Sequence, residues 1–158
     1  MGEYMGMFSV HDVIEVLFLG SGLLIGVIDA RTLRIPDLLS LGTLLLVLSL
    51  AAIDDRSSIV ERLTGMVLGF VSFHSLARAG LMGLGDAKFS ALIGAALGPS
   101  GWLATVCAAS LLGMLCELPQ LFAGYITRGT RVPFGPFLAA GSVVQMFAPV
   151  TPFLFGGA

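Results

Sequence analysis

The sequence predicts an all-α, polytopic membrane protein with about six transmembrane helices, formed by one membrane-embedded domain over residues 1–158. The first observation is composition: the 158 residues are 56% hydrophobic and only 11% charged, and the mean hydropathy is +0.98. This is more apolar than an ordinary soluble domain. The second is pattern, because residues 41–50 and 103–115 are apolar on every side. Strands of a membrane barrel would instead alternate between apolar and polar residues.

Charges and clusters of glycine and proline separate the predicted helices, which are residues 13–28, 38–53, 63–79, 89–97, 101–124 and 134–155. A full span needs about 20 residues, so the first four segments must tilt, borrow flanking residues or stop short of the interface. The fifth segment contains Cys107 and Cys116 without a CxxC spacing. This pattern indicates neither a zinc site nor a disulfide, and both cysteines are expected to be buried packing residues.

The distribution of basic residues predicts the orientation, because Lys and Arg accumulate in short cytoplasmic loops. One set of alternate loops and their flanking turns holds Arg31, Arg34, Arg78, Lys88, Arg128 and Arg131, whereas the other holds Arg56 and Arg62 beside Asp54, Asp55 and Glu61. The first set is therefore predicted to face the cytoplasm, with both termini outside, in the inner (plasma) membrane. No lysine or arginine precedes Arg31, so the first segment is expected to be a retained helix rather than a cleaved signal peptide.

Asp29 ends the first apolar segment and is followed by two arginines and by Ile35 and Pro36. Proline disfavours helix at the residue before it, which predicts a turn. Taken alone, Asp29 is typical of an interfacial carboxylate paired with a neighbouring arginine.

Asp86 lies in a glycine-rich stretch, residues 83–88, that also contains Gly83, Gly85 and Lys88 and opens the fourth segment. A helix N-cap is a sufficient structural explanation, since a carboxylate is favoured at the positive end of a helix. The fourth segment is so short, however, that Asp86 is expected at or below the headgroup level. Ionisable residues at that depth are expensive and usually functional.

Asp29 and Asp86 are predicted to reach the same side of the membrane from different helices. Two carboxyls that approach closely cannot both ionise cheaply, so one is expected to hold a proton. The ionised member can then deprotonate water while the protonated member polarises a peptide carbonyl. This chemistry needs no metal or other cofactor. A small transporter or channel subunit, whose carboxylates bind ions or protons, is the alternative from another class. The scattered basic residues predict no nucleic-acid partner.

Three ordered motifs resemble the type IV prepilin peptidase family: Asp29 with Ile35 and Pro36, GLGDAK at residues 83–88, and VPFGPFLA at residues 132–139. The GxGD motif is also similar to that of the presenilin-type intramembrane aspartyl proteases. The resemblance implies that Asp29 and Asp86 are catalytic. It implies a substrate-binding or site-shaping role for Pro36, Gly83, Gly85, Lys88, Phe134, Gly135 and Pro136.

The implied activity is that of an aspartic endopeptidase, which cuts the short basic leader of prepilins or pseudopilins on the cytoplasmic side, after a glycine and before an apolar helix. Its expected partners are these leader peptides and membrane lipid, while the oligomeric state is left open. The first helix begins almost immediately, without the paired-cysteine extension of many family members. The chain therefore resembles the short, peptidase-only form associated with Flp-type pili. Asp37 stands where the family often has asparagine, and a capping role is expected for it.

Two further residues are secondary candidates. His74, in the third segment, is interpreted as a hydrogen-bonded packing histidine rather than a proton relay or ligand. Glu117 lies two residues before Pro119, which is expected to kink or end the fifth segment. A role in substrate contact or site support and a role as an interfacial carboxylate are equally compatible with its position.

Overall fold

The computed structural model describes residues 9–53, 59–125 and 133–148, and within these ranges all regular structure is helical. The helices are α1 (Val10–Thr32), α2 (Asp37–Ile53), α3 (Ile59–Arg78), α4 (Leu84–Phe122) and α5 (Gly135–Phe147). The prediction of an all-α protein is therefore confirmed. Several loop residues whose charges set the predicted orientation, and both chain termini, lie outside the described residues.

Both ends of α1 follow from local sequence. Ser9 and Asp12 form a reciprocal capping box, in which the Asp12 carboxylate accepts from the Ser9 N–H at 2.7 Å and the Ser9 hydroxyl accepts from the Asp12 N–H at 3.2 Å. At the other end Leu33 adopts a left-handed conformation, and its N–H donates to the carbonyl of Asp29 at 2.8 Å. The chain then turns before Pro36, as the sequence predicts.

Helices α3 and α4 pack along each other more extensively than any other pair of described helices. Their backbones meet at glycines: a Cβ on Gly65 would collide with the carbonyl of Gly94, and a Cβ on Gly94 would collide with the backbone of Gly65. One turn along α3, a Cβ on Gly69 would collide with the backbone of Ser90. Small residues that let helix backbones approach closely are typical of packing between membrane helices.

Helix α4 is interrupted at Gly98, which has φ 71° and ψ 179° and is followed by Pro99. Gly98 thus divides α4 into two helical halves, which correspond to the predicted segments 89–97 and 101–124. The second half folds back along the first, because the Trp102 indole N–H donates to the Ser90 hydroxyl at 2.8 Å. Arg62, from the start of α3, is 7% exposed and donates to the carbonyls of Ala95 and Ala96 at 3.0 and 2.8 Å. The sequence grouped Arg62 with a charged loop and its flanking turns, and the residue lies in the first turn of α3. Its guanidinium is buried because it satisfies carbonyls that the break leaves without helical partners.

Three of the described helices, α1, α3 and α4, are long and apolar enough to cross a membrane, whereas α2 has 17 residues and α5 has 13. The prediction of about six spans is therefore not confirmed. The outer faces of the bundle carry large exposed apolar side chains, including Val16, Leu24, Leu45, Val60 and Leu111. Such faces suit a lipid environment.

Candidate active site

The predicted site residues lie together at one end of the bundle, where α1 ends and α2, α4 and α5 begin. The helix termini there are joined by three contacts, between Asp29 and Gly135, between Ile35 and Gly85, and between Asp37 and Lys88. Residues that are far apart in sequence thus meet in one place.

Asp29 is buried, with 5% of its surface exposed, in the last turns of α1. Its Oδ2 atom accepts a hydrogen bond of 3.0 Å from the backbone N–H of Gly135, the first residue of α5. A Cβ on Gly135 would lie 2.6 Å from this same oxygen, so the contact requires glycine. The carboxylate therefore sits against the positive end of α5, which favours negative charge.

Asp86 is half-buried in the first turn of α4 and accepts a hydrogen bond of 3.1 Å from the backbone N–H of Gly83. Asp86 lies at the same end of the bundle as Asp29, because Gly85 packs against Ile35 just after α1. Each carboxylate is thus held by a glycine N–H at the start of a helix. Neither carboxylate forms an ion pair with a lysine or arginine of the described ranges, so the interpretation of Asp29 as one half of an arginine pair is not supported there.

Lys88 lies near the start of α4. Its amine forms an ion pair of 2.5 Å with Asp37 in the first turn of α2. Beside this pair Gly85 packs against Ile35, where a Cβ on the glycine would lie 3.0 Å from the Cβ of Ile35. Pro36 is half-buried between them, and its carbonyl accepts from the N–H of Ser40 at 3.1 Å. Asp37 therefore pairs with Lys88 in addition to lying at the start of α2.

The segment around Pro136 packs against α1 and α3 at the site. Phe134 is the N-cap of α5, and its ring lies 6.2 Å from that of Phe73 and 6.3 Å from that of Phe137. Pro136 lies in the first turn of α5, where proline is well tolerated, as expected from the sequence. A Cβ on Gly26 would lie 3.5 Å from the Cα of Pro136, so α5 begins directly against α1.

Neither secondary candidate forms a hydrogen bond or an ion pair with Asp29 or Asp86 in the described part of the chain. His74 stacks on Phe70 with ring centroids 5.2 Å apart, and its Nδ1 atom is buried without a hydrogen-bond partner among the described residues, so the expected hydrogen bond is not made by that atom. Glu117 is half-buried, and α4 continues past Pro119 to Phe122.

The cysteines also differ from the sequence-based expectation. Both are free thiols, and Cys107 is half-buried whereas Cys116 is exposed, so the expectation of buried packing was wrong for Cys116. Within the described ranges no group of three histidine, cysteine, aspartate or glutamate side chains is placed to hold a metal ion.

Comparison with known proteins decides the family. The profile of the type IV leader peptidase family matches residues 16–118, which include Asp29 and Asp86. The chain belongs to the type IV leader peptidase family. The family resemblance expected from the three motifs is thus confirmed, and the transporter alternative is not favoured.

Named relatives agree with the family assignment. A prepilin leader peptidase/N-methyltransferase of Xanthomonas campestris pv. campestris is 35% identical over 129 residues, which cover 76% of this chain and 44% of the relative. A prepilin leader peptidase/N-methyltransferase of Pseudomonas aeruginosa is 34% identical over 140 residues, which cover 83% of this chain and 48% of the relative. The chain spans about half the length of these relatives. No solved structure matches the chain.

Proposed function

We propose that the chain is a membrane aspartic endopeptidase that removes the short basic leader of prepilin or pseudopilin substrates, with Asp29 and Asp86 as its catalytic pair. The observation that carries the proposal is the placement of these two carboxylates. They come from the end of α1 and the start of α4, which meet where Gly85 packs against Ile35. Both are free of ion pairs with described lysines or arginines. Membership of a leader peptidase family supplies the class of substrate.

In this mechanism one carboxylate is ionised and the other is protonated when the substrate binds. The ionised carboxylate takes a proton from a water molecule whose oxygen attacks the carbonyl carbon of the scissile peptide bond. The protonated carboxyl donates its proton to the carbonyl oxygen, and a tetrahedral diol forms. Collapse of the diol breaks the C–N bond as the amine nitrogen receives a proton, which yields a free carboxyl and a free amine.

The glycine-rich start of α4 suits a substrate whose helix must unwind at the cut. Gly83 and Leu84 are exposed, so extended peptide can reach Asp86 at the rim of the bundle. Backbone groups of an unwound segment need water or protein partners, which the end of a bundle provides and the lipid core does not. We place this end on the cytoplasmic side, where it carries Arg31, Arg34 and Arg78.

Leader removal tests the activity. The chain is co-expressed with a prepilin that carries a basic leader, a glycine and an apolar helix, and the loss of the leader is followed by mass spectrometry. Wild type is expected to release the mature helix, whereas Asp29→Asn and Asp86→Asn are each expected to be inactive while inserting normally. Asp12→Asn is the matched control, because Asp12 is a capping carboxylate at the opposite end of α1. Full cleavage by either dyad variant would exclude the proposed mechanism.

Sidedness needs a separate measurement. A single cysteine is placed at the exposed Ala79, near the candidate site, or at the exposed His11, near the start of α1, in a background of Cys107→Ala and Cys116→Ala. A membrane-impermeant maleimide is expected to label Ala79→Cys only in inverted vesicles and His11→Cys only in spheroplasts. The reverse pattern would place the aspartates outside the cytoplasm.

A further inference from the structure

A half-enclosed apolar cavity of about 230 Å³ lies between α2 and α3, with α4 as its floor. Its lining consists of Leu41, Leu44, Met66, Val67, Phe70, Val71, Lys88 and Ala91. We call it the α2–α3 groove. It exists because α2 makes few contacts with α3, although both pack on α4. Leu41, Val67, Phe70 and Val71 are exposed on its walls, so the groove is open toward the side of the bundle.

The groove begins beside the candidate catalytic pair. Lys88, at its polar end, lies two residues after Asp86 in the same helix, and Ala91 lies about one turn deeper. Helix α3 runs in the opposite direction along α4, as the contact of Gly69 with Ser90 and that of Gly65 with Gly94 require. Phe70 and Val71 therefore lie at the level of the polar end, and Met66 lies deeper.

The charge at the polar end distinguishes between occupants. Among the described residues, Lys88 is the one charged side chain that lines the groove, and a free ammonium there would favour the anionic headgroup of a lipid. The amine is instead paired with Asp37 at 2.5 Å. The groove thus presents a neutralised polar end and apolar walls, which match a peptide that changes from polar to apolar as it leaves the catalytic pair.

We propose that the α2–α3 groove binds the first apolar side chains of the substrate helix, immediately after the bond that is cut. This inference rests on the proposed leader peptidase activity and adds to it the surface that holds the retained part of the substrate. A membrane-embedded helix enters from the side, between α2 and α3, without leaving the bilayer. Its apolar residues occupy the groove while the scissile bond lies at Asp86 and Asp29.

Photo-crosslinking tests the location. The Asp29→Asn chain carries p-benzoylphenylalanine at Val71 in the groove or at Val16 on α1, and it is irradiated in membranes that contain the same prepilin. Both valines are exposed, at 58% and 65%. Strong adducts with the prepilin at Val71 and weak ones at Val16 are expected. Equal adducts at the two positions, or adducts with phospholipid alone at Val71, would overturn the assignment.

Cleavage kinetics provide a second test of the groove assignment. Val71→Trp fills the groove and is expected to raise KM about tenfold with little change in kcat, which is the pattern of lost ground-state binding. The control Val16→Trp is expected to match wild type. If wild type cleaves and Val71→Trp has a normal KM, the assignment of the groove as the substrate-binding surface would be overturned, while the proposed function would stand. Failure of wild type to cleave would overturn the proposed function and, with it, the role assigned to the groove.

Discussion

The backbone N–H of Gly135 donates to Oδ2 of Asp29 at 3.0 Å and joins the start of α5 to the end of α1. Asp86 also has a glycine donor, but within its own helix: its Oδ2 atom accepts from the N–H of the N-cap residue Gly83 at 3.1 Å. Backbone donors at helix starts hold a carboxylate without neutralising it as an ion pair with lysine or arginine would. Both aspartates are thereby positioned without a cationic partner among the described residues, as the proposed mechanism requires.

Gly135→Ala should abolish most of the activity without unfolding the chain. The added Cβ would lie 2.6 Å from Oδ2 and 3.0 Å from Cβ of Asp29, so the carboxylate must move. A displacement of about 1 Å at a reacting group costs about 100-fold in rate, and we expect a loss of this size in kcat for leader removal. Gly20→Ala is the control, because no atom lies within 4 Å of its added Cβ. Equal activity of the two variants would contradict the role given to the Gly135 contact.

Substitutions of Asp37 and Lys88 should have coupled effects on activity. The two side chains form an ion pair of 2.5 Å that joins the starts of α2 and α4. We expect Asp37→Asn and Lys88→Met each to lower kcat/KM. The double variant should be no worse than the worse single variant, with a coupling of about 0.2–1 kcal/mol for a partly exposed pair. Cleavage kinetics of the four proteins measure this coupling. Strictly additive losses would show that the two residues act independently.

Removal of the Arg62 guanidinium should destabilise the fold. Arg62→Met preserves much of the side-chain length but leaves the buried carbonyls of Ala95 and Ala96 without their donors. A buried group left without its partner costs about 1–3 kcal/mol, so we expect a clear fall in Tm in detergent. Arg78→Met changes an exposed arginine in the last turn of α3 and is expected to unfold near the wild-type temperature. An unchanged Tm for Arg62→Met would contradict the capping role.

The glycine contact between α3 and α4 should tolerate no side chain. In Gly65→Ala the new methyl group collides with the carbonyl oxygen of Gly94, a backbone atom that cannot turn aside. Overpacking of this kind costs about 1–3 kcal/mol, and a lower Tm is expected. Gly42→Ala, with no atom within 4 Å of its Cβ, should keep or raise the Tm. Equal Tm values for the two variants would contradict the claim that the Gly65–Gly94 contact excludes a side chain.

Local signals in the sequence were sufficient to place the two aspartates at helix ends. Pro36 marks the turn after α1, and the glycines before Asp86 mark the start of α4, because proline and glycine act on the backbone of their own segment. Those features require no knowledge of the rest of the chain. The helix ends of the candidate site are therefore predictable from short stretches of sequence.

Contacts between distant segments could not be predicted in this way. The sequence places Arg62 next to a charged loop, but it does not show that the guanidinium donates to carbonyls beside the break at Gly98. Gly65 has no side chain to reveal that Gly94 is its partner. The donor to Asp29 is likewise a backbone N–H, which every residue except proline possesses.

The Gly135 contact also sets an order of events during synthesis. Asp29 is made 106 residues before the residue that donates to it. At about 5–20 residues per second, the interval is about 5–20 s. Throughout that time α1 exists without its α5 partner, so Asp29 lacks the donor that fixes its carboxylate. Completion of the proposed catalytic centre is therefore one of the last steps of biogenesis, and a nascent chain that stalls before α5 carries both aspartates without the contact that positions Asp29.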